Sequence, residues 1–280
     1  MVSQKRKKRT VNIILFIVLA LGAVTMLLPL VWMISTSLKP KTEVLAIPPE
    51  WIPKSPQWGN YLKVFQMTPL LNGFLNTIMV AVSVTVIGTL CSSMAAFAFS
   101  KLNFKGKNKM FLALLGTIMI PFPVVMIPQF VLFTKIGWID TLLPLIIPGL
   151  FGNVMTIFFL RQYMFGLPNS LIDAAKIDGC SYPRIFFKII LPLVKPALAT
   201  QIILGFMGCW NDYLGPSIYL STPERSTVQV LIASFNSMYA IQSDYGLIMA
   251  ASVISMIPIL VIFALFQKQI IESIAITGIK

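Results

Sequence analysis

The stretch Asp173-Ala174-Ala175-Lys176-Ile177-Asp178-Gly179 lies in a polar gap between two apolar runs, each long enough to cross a membrane. Ser170 precedes it and can cap a helix, and Asp173, three residues later, can reach back to complete a capping box. Gly179 can adopt the left-handed conformation that ends a helix after about two turns. The stretch therefore predicts a short, separately capped helix between two membrane spans.

The side chains of this short helix favour a docking surface over an active site. Ala174 and Ala175 leave a shallow surface that another protein can approach closely. Leu171, Ile172 and Ile177 provide more apolar contact than a solvated turn needs. We expect the helix to dock into a depression on the surface of a partner protein.

Composition places the chain in a bilayer. Of its 280 residues, 57% are hydrophobic and 11% are charged, and the mean hydropathy is +0.84, far outside the soluble range. One crossing needs about 20 mostly apolar residues. Six segments qualify: 11–35, 74–99, 110–133, 142–160, 185–207 and 247–266. The predicted fold class is all-α, a polytopic membrane protein with six transmembrane helices.

Three sections follow from this pattern. Residues 1–70 comprise a basic tail, the first transmembrane helix and a proline-rich external brace. Residues 71–268 form the transmembrane core, with the short helix near 170–180. Residues 269–280 form a C-terminal tail.

The distribution of Lys and Arg predicts the orientation. Fifteen of the 22 Lys and Arg residues fall on the face that contains both termini, six fall on the other, and Lys195 falls within a span. By the positive-inside rule the richer face, with both termini, is cytoplasmic. Nucleic-acid binding is disfavoured because the charges are divided among short loops.

The sequence lacks the residues that several kinds of chemistry require. The chain has no His, which removes the commonest metal ligand and proton shuttle. Its three Cys residues are scattered and odd in number, so no disulfide framework is expected. No P-loop motif is present, and the nine carboxylates lie mostly in loops, unlike the buried acids of proton-driven carriers. We expect no catalytic residue, metal or cofactor in this chain, and a pathway that is energised from elsewhere.

Polar residues at membrane depth are candidates for the pathway or for contact with substrate. Asn153, Gln201, Asn211 and Asp212 are unfavourable in lipid, where a central acid costs roughly 2.5 to 3.5 kcal/mol on insertion scales. They should face the bundle interior or the external mouth. Packing or interface roles remain open for all four.

A longer ordered pattern includes the short helix. Its members are the 173–179 stretch, Phe187, Ile190, Leu191-Pro192-Leu193, Pro196, Trp210-Asn211-Asp212 and the tail from Ala275 to Lys280. The pattern resembles the EAA loop and following helix of ATP-binding-cassette (ABC) importer permeases, in the carbohydrate-uptake branch typified by the smaller maltose permease subunit. The resemblance covers essentially the whole chain.

Two positions depart from that family pattern. Asp173 stands where Glu is usual, and Cys180 stands where a small residue is common. Asp keeps the charge and can still cap a helix, so docking is expected to survive. Its reach is one methylene shorter, which affects any salt bridge that depends on the length of Glu.

The resemblance implies a type I importer permease fold and a subunit that forms half of a pathway for a sugar or oligosaccharide. The implied partners are a second homologous permease, two ATPase subunits that carry ATP and Mg, and an extracytoplasmic solute-binding protein. The implied location is a bacterial or archaeal cytoplasmic membrane. The implied ATPase-coupling residues are Ser170, Leu171, Ile172, Asp173, Ala174, Ala175, Lys176, Ile177, Asp178 and Gly179.

Two further contact regions come from the resemblance. A loop that meets the binding protein is implied at Asn236, Tyr239, Gln242, Asp244 and Tyr245, although a plain connector fits the sequence nearly as well. A C-terminal segment that contacts the ATPases is implied at Thr277, Gly278 and Lys280. Composition alone indicates only a frayed end there.

Two alternative functions stay open. The first is an ABC permease for another solute, such as glycerol phosphate, an amino acid or a polyamine. The second is a secondary carrier or channel that works without ATP. The missing buried acids and the 173–179 stretch argue against the second.

Overall fold

The structure is a computed structural model that describes residues 2–238 and 244–278, with side chains described for residues 9, 11–235 and 244–267. Every regular element in these ranges is helical. The helices are α1 Val2–Ser37, α2 Lys41–Val44, α3 Gly59–Met67, α4 Leu70–Lys101, α5 Lys107–Gly116, α6 Phe122–Lys135, α7 Leu143–Leu150, α8 Val154–Phe165, α9 Ser170–Ile177, α10 Tyr182–Ile185, α11 Leu191–Leu193, α12 Lys195–Asn211, α13 Leu214–Tyr219, α14 Val228–Met238 and α15 Tyr245–Gly278. The all-α prediction is confirmed.

The described part of the chain contains four to six helical segments long and apolar enough to span a membrane. Four are long apolar helical segments: Val11–Ser37, Leu70–Lys101, Leu143–Phe165 and Tyr245–Gln267. Two more are bent pairs, Lys107–Met119 with Phe122–Lys135 at 92° and Tyr182–Leu193 with Lys195–Asn211 at 79°. Counting each bent pair as one span gives the six crossings that the sequence predicts.

Proline accounts for the bend in the third span. Ile120, which precedes Pro121, is extended with ψ 109, as a residue before proline prefers. Pro121 is itself extended at ψ 141, and α6 begins directly after it. In the fifth span the helix widens into a π-turn at Phe186–Ile190 and is interrupted at Val194, two residues before Pro196.

The fourth span is broken, although hydropathy predicts one continuous helix over 142–160. Helix α7 ends at Leu150, and α8 begins at Val154. Gly152 lies between them at φ +102, where L side chains are strained. The average hydropathy of Leu143–Phe165 is high enough for one span despite Gly152 and Asn153, so hydropathy does not reveal this backbone turn.

Contacts divide the chain into two compact units, the first within Met1–Thr68 and Ile232–Ile257 and the second within Pro69–Leu231 and Pro258–Lys280. Helix α4 lies at the centre of the second unit and packs against α7, α8 and α12. Small residues make this close approach possible. A Cβ atom added at Gly88 would lie 2.5 Å from the carbonyl oxygen of Gly149. The three sections predicted from the sequence, residues 1–70, 71–268 and 269–280, stay a prediction.

In the first unit, the external segment is attached to the end of α1. The Asn60 side chain donates to the Ser37 carbonyl at 2.9 Å, and the Ser37 and Tyr61 hydroxyls are 2.7 Å apart. The Lys39 ammonium is buried and lies 4.0 Å from the centre of the Trp32 ring. This burial lowers the pKa of Lys39, because the charged form loses its hydration.

Substitution of Gly88 tests the packing of α4. We expect Gly88→Ala to lower the stability of the purified protein by about 1 to 3 kcal/mol, because the new methyl group overlaps a backbone atom that cannot rotate away. Gly116→Ala is the matched control, since a Cβ atom there meets nothing within 4 Å. Apparent Tm values in detergent measure the difference. Equal Tm values for the two variants would contradict the close packing.

Candidate functional site

Helix α9 ends in a Schellman motif. Gly179 has φ +78, and its N–H donates to the Lys176 carbonyl at 3.0 Å. The Cys180 N–H donates to the Ala175 carbonyl at 2.9 Å. These bonds satisfy the last carbonyls of the helix. The predicted helix stop at Gly179 is confirmed.

The start of α9 differs from the prediction. Ser170 is the first helical residue rather than the cap, and the preceding Asn169 has helical φ and ψ values. The backbone N–H groups of Ile172 and Asp173 donate to the Asn169 carbonyl at 2.9 and 3.1 Å. The Asp173 N–H is one of the two donors that a capping box at Ser170 would need, and α9 has no side-chain cap hydrogen bond. The predicted Ser170–Asp173 capping box is therefore wrong.

Lys101, at the end of α4, holds the entry to α9. Its ammonium donates to the Leu167 carbonyl at 2.6 Å and to the Asn169 side-chain oxygen at 2.9 Å. In the sequence, Lys101 is one of fifteen Lys and Arg residues on the predicted cytoplasmic face, and no local pattern separates it from the others. Lys101 acts as a positioning residue for the short helix.

One face of α9 is built into the second unit. Ile172 and Ala175 are 3% and 5% exposed. They belong to a buried cluster, here called the α9 cluster, whose other members are Ala96, Phe97, Phe111, Ile157, Leu160, Met164, Ile185, Phe186, Ile190, Val194 and Ala197. These residues come from α4, α5, α8 and the fifth span. Helix α9 is thus attached to several spans at once.

The opposite face of α9 is open. Leu171 and Ala174 are exposed, and Ile177 is 87% exposed. Asp173 and Asp178 are also exposed and form no ion pair with a residue that the structure describes. Lys176 lies with its ammonium 4.9 Å from the ring centre of Tyr182. An exposed apolar ridge flanked by carboxylates is a surface suited to another protein.

Two of the four predicted pathway residues meet in one cavity. The cavity has a volume of about 660 Å³ and lies among α4, α7, α8 and α12. Asn153 and Gln201 line it, whereas Asn211 and Asp212 do not. The Asn211 side chain donates to the Met207 carbonyl at 2.9 Å, and an Asp212 carboxylate oxygen accepts from the Gly215 N–H at 3.3 Å. The last two side chains thus bond to nearby backbone.

The other predicted contact residues are only partly described. An Asp244 carboxylate oxygen accepts from the Leu247 N–H at 3.3 Å, and Tyr245 begins α15. Asn236 lies in α14 rather than in a loop, and its side chain is outside the described residues. Tyr239, Gln242 and Lys280 also lie outside them. Thr277 and Gly278 fall in the last turn of α15, without described side chains.

Comparison with solved structures identifies the fold. The chain is similar to a chain in a crystal structure of a bacterial ABC transporter involved in the import of the acidic polysaccharide alginate. The TM-score is 0.79 at 24% sequence identity, and the match covers 94% of this chain and 97% of the other. At this identity the likeness shows the fold alone. The fold is that of an ABC importer permease.

Sequence comparison agrees. The chain is 34% identical over 255 residues to the arabinooligosaccharides transport system permease protein AraQ of Halalkalibacterium halodurans, covering 90% of each chain. It is 32% identical over 255 residues to the trehalose transport system permease protein SugB of Mycobacterium tuberculosis, covering 91% of this chain and 92% of the relative. A family model also matches residues 88–275.

The chain belongs to the family of binding-protein-dependent transport system inner membrane components. It is therefore a multi-pass membrane transport component and not an enzyme by itself. This confirms the resemblance read from the 173–179 stretch and the residues after it. The family match includes α9, its cluster and the cavity lining except for Val84 and Thr85.

Substitution of Gly179 tests the helix stop. We expect Gly179→Val to leave membrane insertion intact and to abolish uptake, because a side chain at φ +78 is strained by about 1 to 2 kcal/mol. The Schellman bonds would then be lost, and α9 would be misdirected. Uptake by cells and the amount of protein in the membrane are measured together.

Gly166→Ala is the matched control in the same interhelical connection. Gly166 has φ −71, and a Cβ atom there meets the Tyr163 carbonyl oxygen at an ordinary 3.4 Å. This control should transport normally. Normal uptake by a well-expressed Gly179→Val variant would refute the role given to the helix stop.

Proposed function

We propose that this chain is a permease subunit of an ABC importer and forms half of the translocation pathway for a sugar or oligosaccharide. The observation that carries the proposal is the open face of α9 on a helix whose other face is anchored in the α9 cluster. Family membership and relatives named for arabinooligosaccharides and trehalose support it.

The proposal assigns energy conversion to partner chains. The sequence has no P-loop, so ATP and Mg are bound by two ATPase subunits, and this chain carries no cofactor. The ATPases contact the region Ser170–Gly179 through the exposed ridge of Leu171, Ala174 and Ile177. A second homologous permease completes the pathway, and an extracytoplasmic solute-binding protein delivers the sugar.

The anchoring of α9 supports a rigid-body mechanism. Closure of the ATPases would push on the exposed ridge, while Ile172 and Ala175 are held in the α9 cluster. Because α4, α8 and the fifth span share that cluster, they would move together with α9. Packed interiors have low compressibility, so the displacement is transmitted rather than absorbed.

The proposal also includes the orientation of the chain in the membrane and its contacts with the binding protein and the ATPases. The excess of Lys and Arg supports an orientation with both termini and α9 in the cytoplasm. The region from Asn236 to Tyr245 would then be extracytoplasmic and meet the binding protein, with Tyr239, Gln242 and Asp244 within it. The end of α15, with Thr277, Gly278 and Lys280, would lie beside the ATPases.

The proposal is tested by purifying the tagged chain with its native neighbours in mild detergent or nanodiscs. We expect a second permease and an ATPase to co-purify, with ATPase activity stimulated by loaded binding protein. Uptake is then measured for a panel of solutes. Its neutral sugars include arabino-oligosaccharides and trehalose, and its charged solutes are glycerol 3-phosphate and an alginate oligosaccharide. A chain that purifies alone and moves solute without ATP would instead be a carrier or channel.

A single substitution on the exposed face of α9 tests docking of the ATPase without disturbing the fold. We expect Ile177→Glu to keep the chain folded in the membrane but to reduce co-purification of the ATPase at least tenfold, because a charge replaces the most exposed apolar contact of α9. Ile47→Glu is the control, since Ile47 is 96% exposed in the predicted external brace. Full ATPase recovery with Ile177→Glu would place the docking surface elsewhere.

A further inference from the structure

We propose that the cavity among α4, α7, α8 and α12 is a subsite for one or two units of a neutral sugar, bound through the side-chain amides of Gln201 and Asn153. The inference rests on the proposed function, and it adds which chain contacts the substrate and what charge that substrate has. The size is suitable. The cavity measures about 660 Å³, and small-molecule sites span roughly 300 to 1,000 Å³.

The charge of the lining indicates a neutral ligand. None of the described residues that line the cavity carries a charged side chain. A phosphate, an amino acid or a polyamine would lose its hydration there without an opposite charge, which is strongly unfavourable. A sugar has hydroxyl groups and no charge, so it needs only hydrogen bonds and apolar contact.

Gln201 supplies an unused hydrogen-bonding group. Its side chain lies in α12 and lines the cavity, and it makes no hydrogen bond to any residue in the described part of the chain. A carboxamide offers two donors and one acceptor. An amide with no partner in a mostly apolar wall is best satisfied by a polar ligand.

Asn153 supplies an oriented donor. Its side-chain oxygen accepts from the N–H groups of Met155 and Thr156 at 2.9 and 3.2 Å, which caps α8. Its backbone N–H donates to the Ser92 hydroxyl at 2.9 Å. Because the oxygen is bound to backbone donors, the amide NH₂ group is left for a ligand. The site is held in place before any ligand arrives, which favours binding.

The remaining wall fits the apolar surface of a sugar ring. Phe158 and Phe159 line the cavity on α8, and aromatic rings present flat apolar faces. Gly208 lines it on α12, and a Cβ atom added there would meet nothing within 4 Å. The missing side chain at Gly208 therefore leaves part of the cavity open, and a larger residue could fill it without displacing other atoms.

Cys209 allows occupancy to be measured directly. It lines the cavity, whereas Cys91 is a partly exposed thiol that does not. The assembled transporter, with its partner permease and ATPases, is treated with N-ethylmaleimide in nanodiscs. Alkylation at Cys209 and at Cys91 is then quantified by peptide mass spectrometry. The probe is the neutral sugar of the panel above that gives the highest uptake.

We expect this sugar to slow the alkylation of Cys209 and to leave Cys91 unaffected. Gln201→Leu should raise the half-protecting concentration about tenfold, as expected for the loss of one or two hydrogen bonds to the ligand. Gly208→Leu should abolish protection by filling the cavity. Gln267→Leu, a change of the same type at an exposed position outside the cavity, should behave as the parent protein.

Other outcomes separate this inference from the proposed function. If the transporter takes up a neutral sugar but Cys209 is never protected, the subsite is overturned and the importer assignment stands. If Cys209 is unreactive with and without sugar, the apparent KM for uptake decides instead: equal values for Gln201→Leu and Gln267→Leu would overturn the subsite and leave the importer assignment standing. Preference for a charged solute overturns the neutral subsite. Absence of ATP-dependent uptake overturns the importer assignment itself.

Discussion

The seating of Ile172 and Ala175 in the α9 cluster is the contact on which the rest of the molecule depends. Without it, the 173–179 stretch would be a solvated connector between two spans. Burial of one aliphatic side chain contributes about 1.5 to 3 kcal/mol, which is enough to keep a helix of two turns in one orientation. Lys101 and the Schellman bonds fix its two ends. A short helix held at three places can transmit force.

Helix α4 joins the α9 cluster to the cavity. Ala96 and Phe97 belong to the cluster, while Gly88 and Ser92 line the cavity. Ser92 and Ala96 are one turn apart, about 6 Å along the helix. A displacement imposed on α9 therefore reaches the cavity wall through one rigid element. Small residues along α4 let α7, α8 and α12 pack close enough for this coupling.

Local signals in the sequence predicted most of the fold. The six spans follow from hydropathy, and the stop at Gly179 follows from its tolerance of positive φ. The break at Gly152 was missed because the average hydropathy of Leu143–Phe165 still indicates one span. The capping box at Ser170 was wrong because Asn169 takes helical angles and its side chain bonds to Lys101, a contact across 68 residues. Asn153 and Gln201 were identified as polar residues at membrane depth, but only the fold could bring them together.

A weak subsite suits a chain that moves substrate instead of storing it. Conduction requires binding that is favourable enough for entry and weak enough for release. Two amides, a few hydroxyl groups and mostly apolar walls provide weak contacts, and no charge in the described lining strengthens them. Under the proposed function, selection then rests mainly with the binding protein and the second permease. On that proposal, the division explains why the strongest signal in this sequence lies in α9, while the polar residues proposed to contact substrate are scattered singly along the chain.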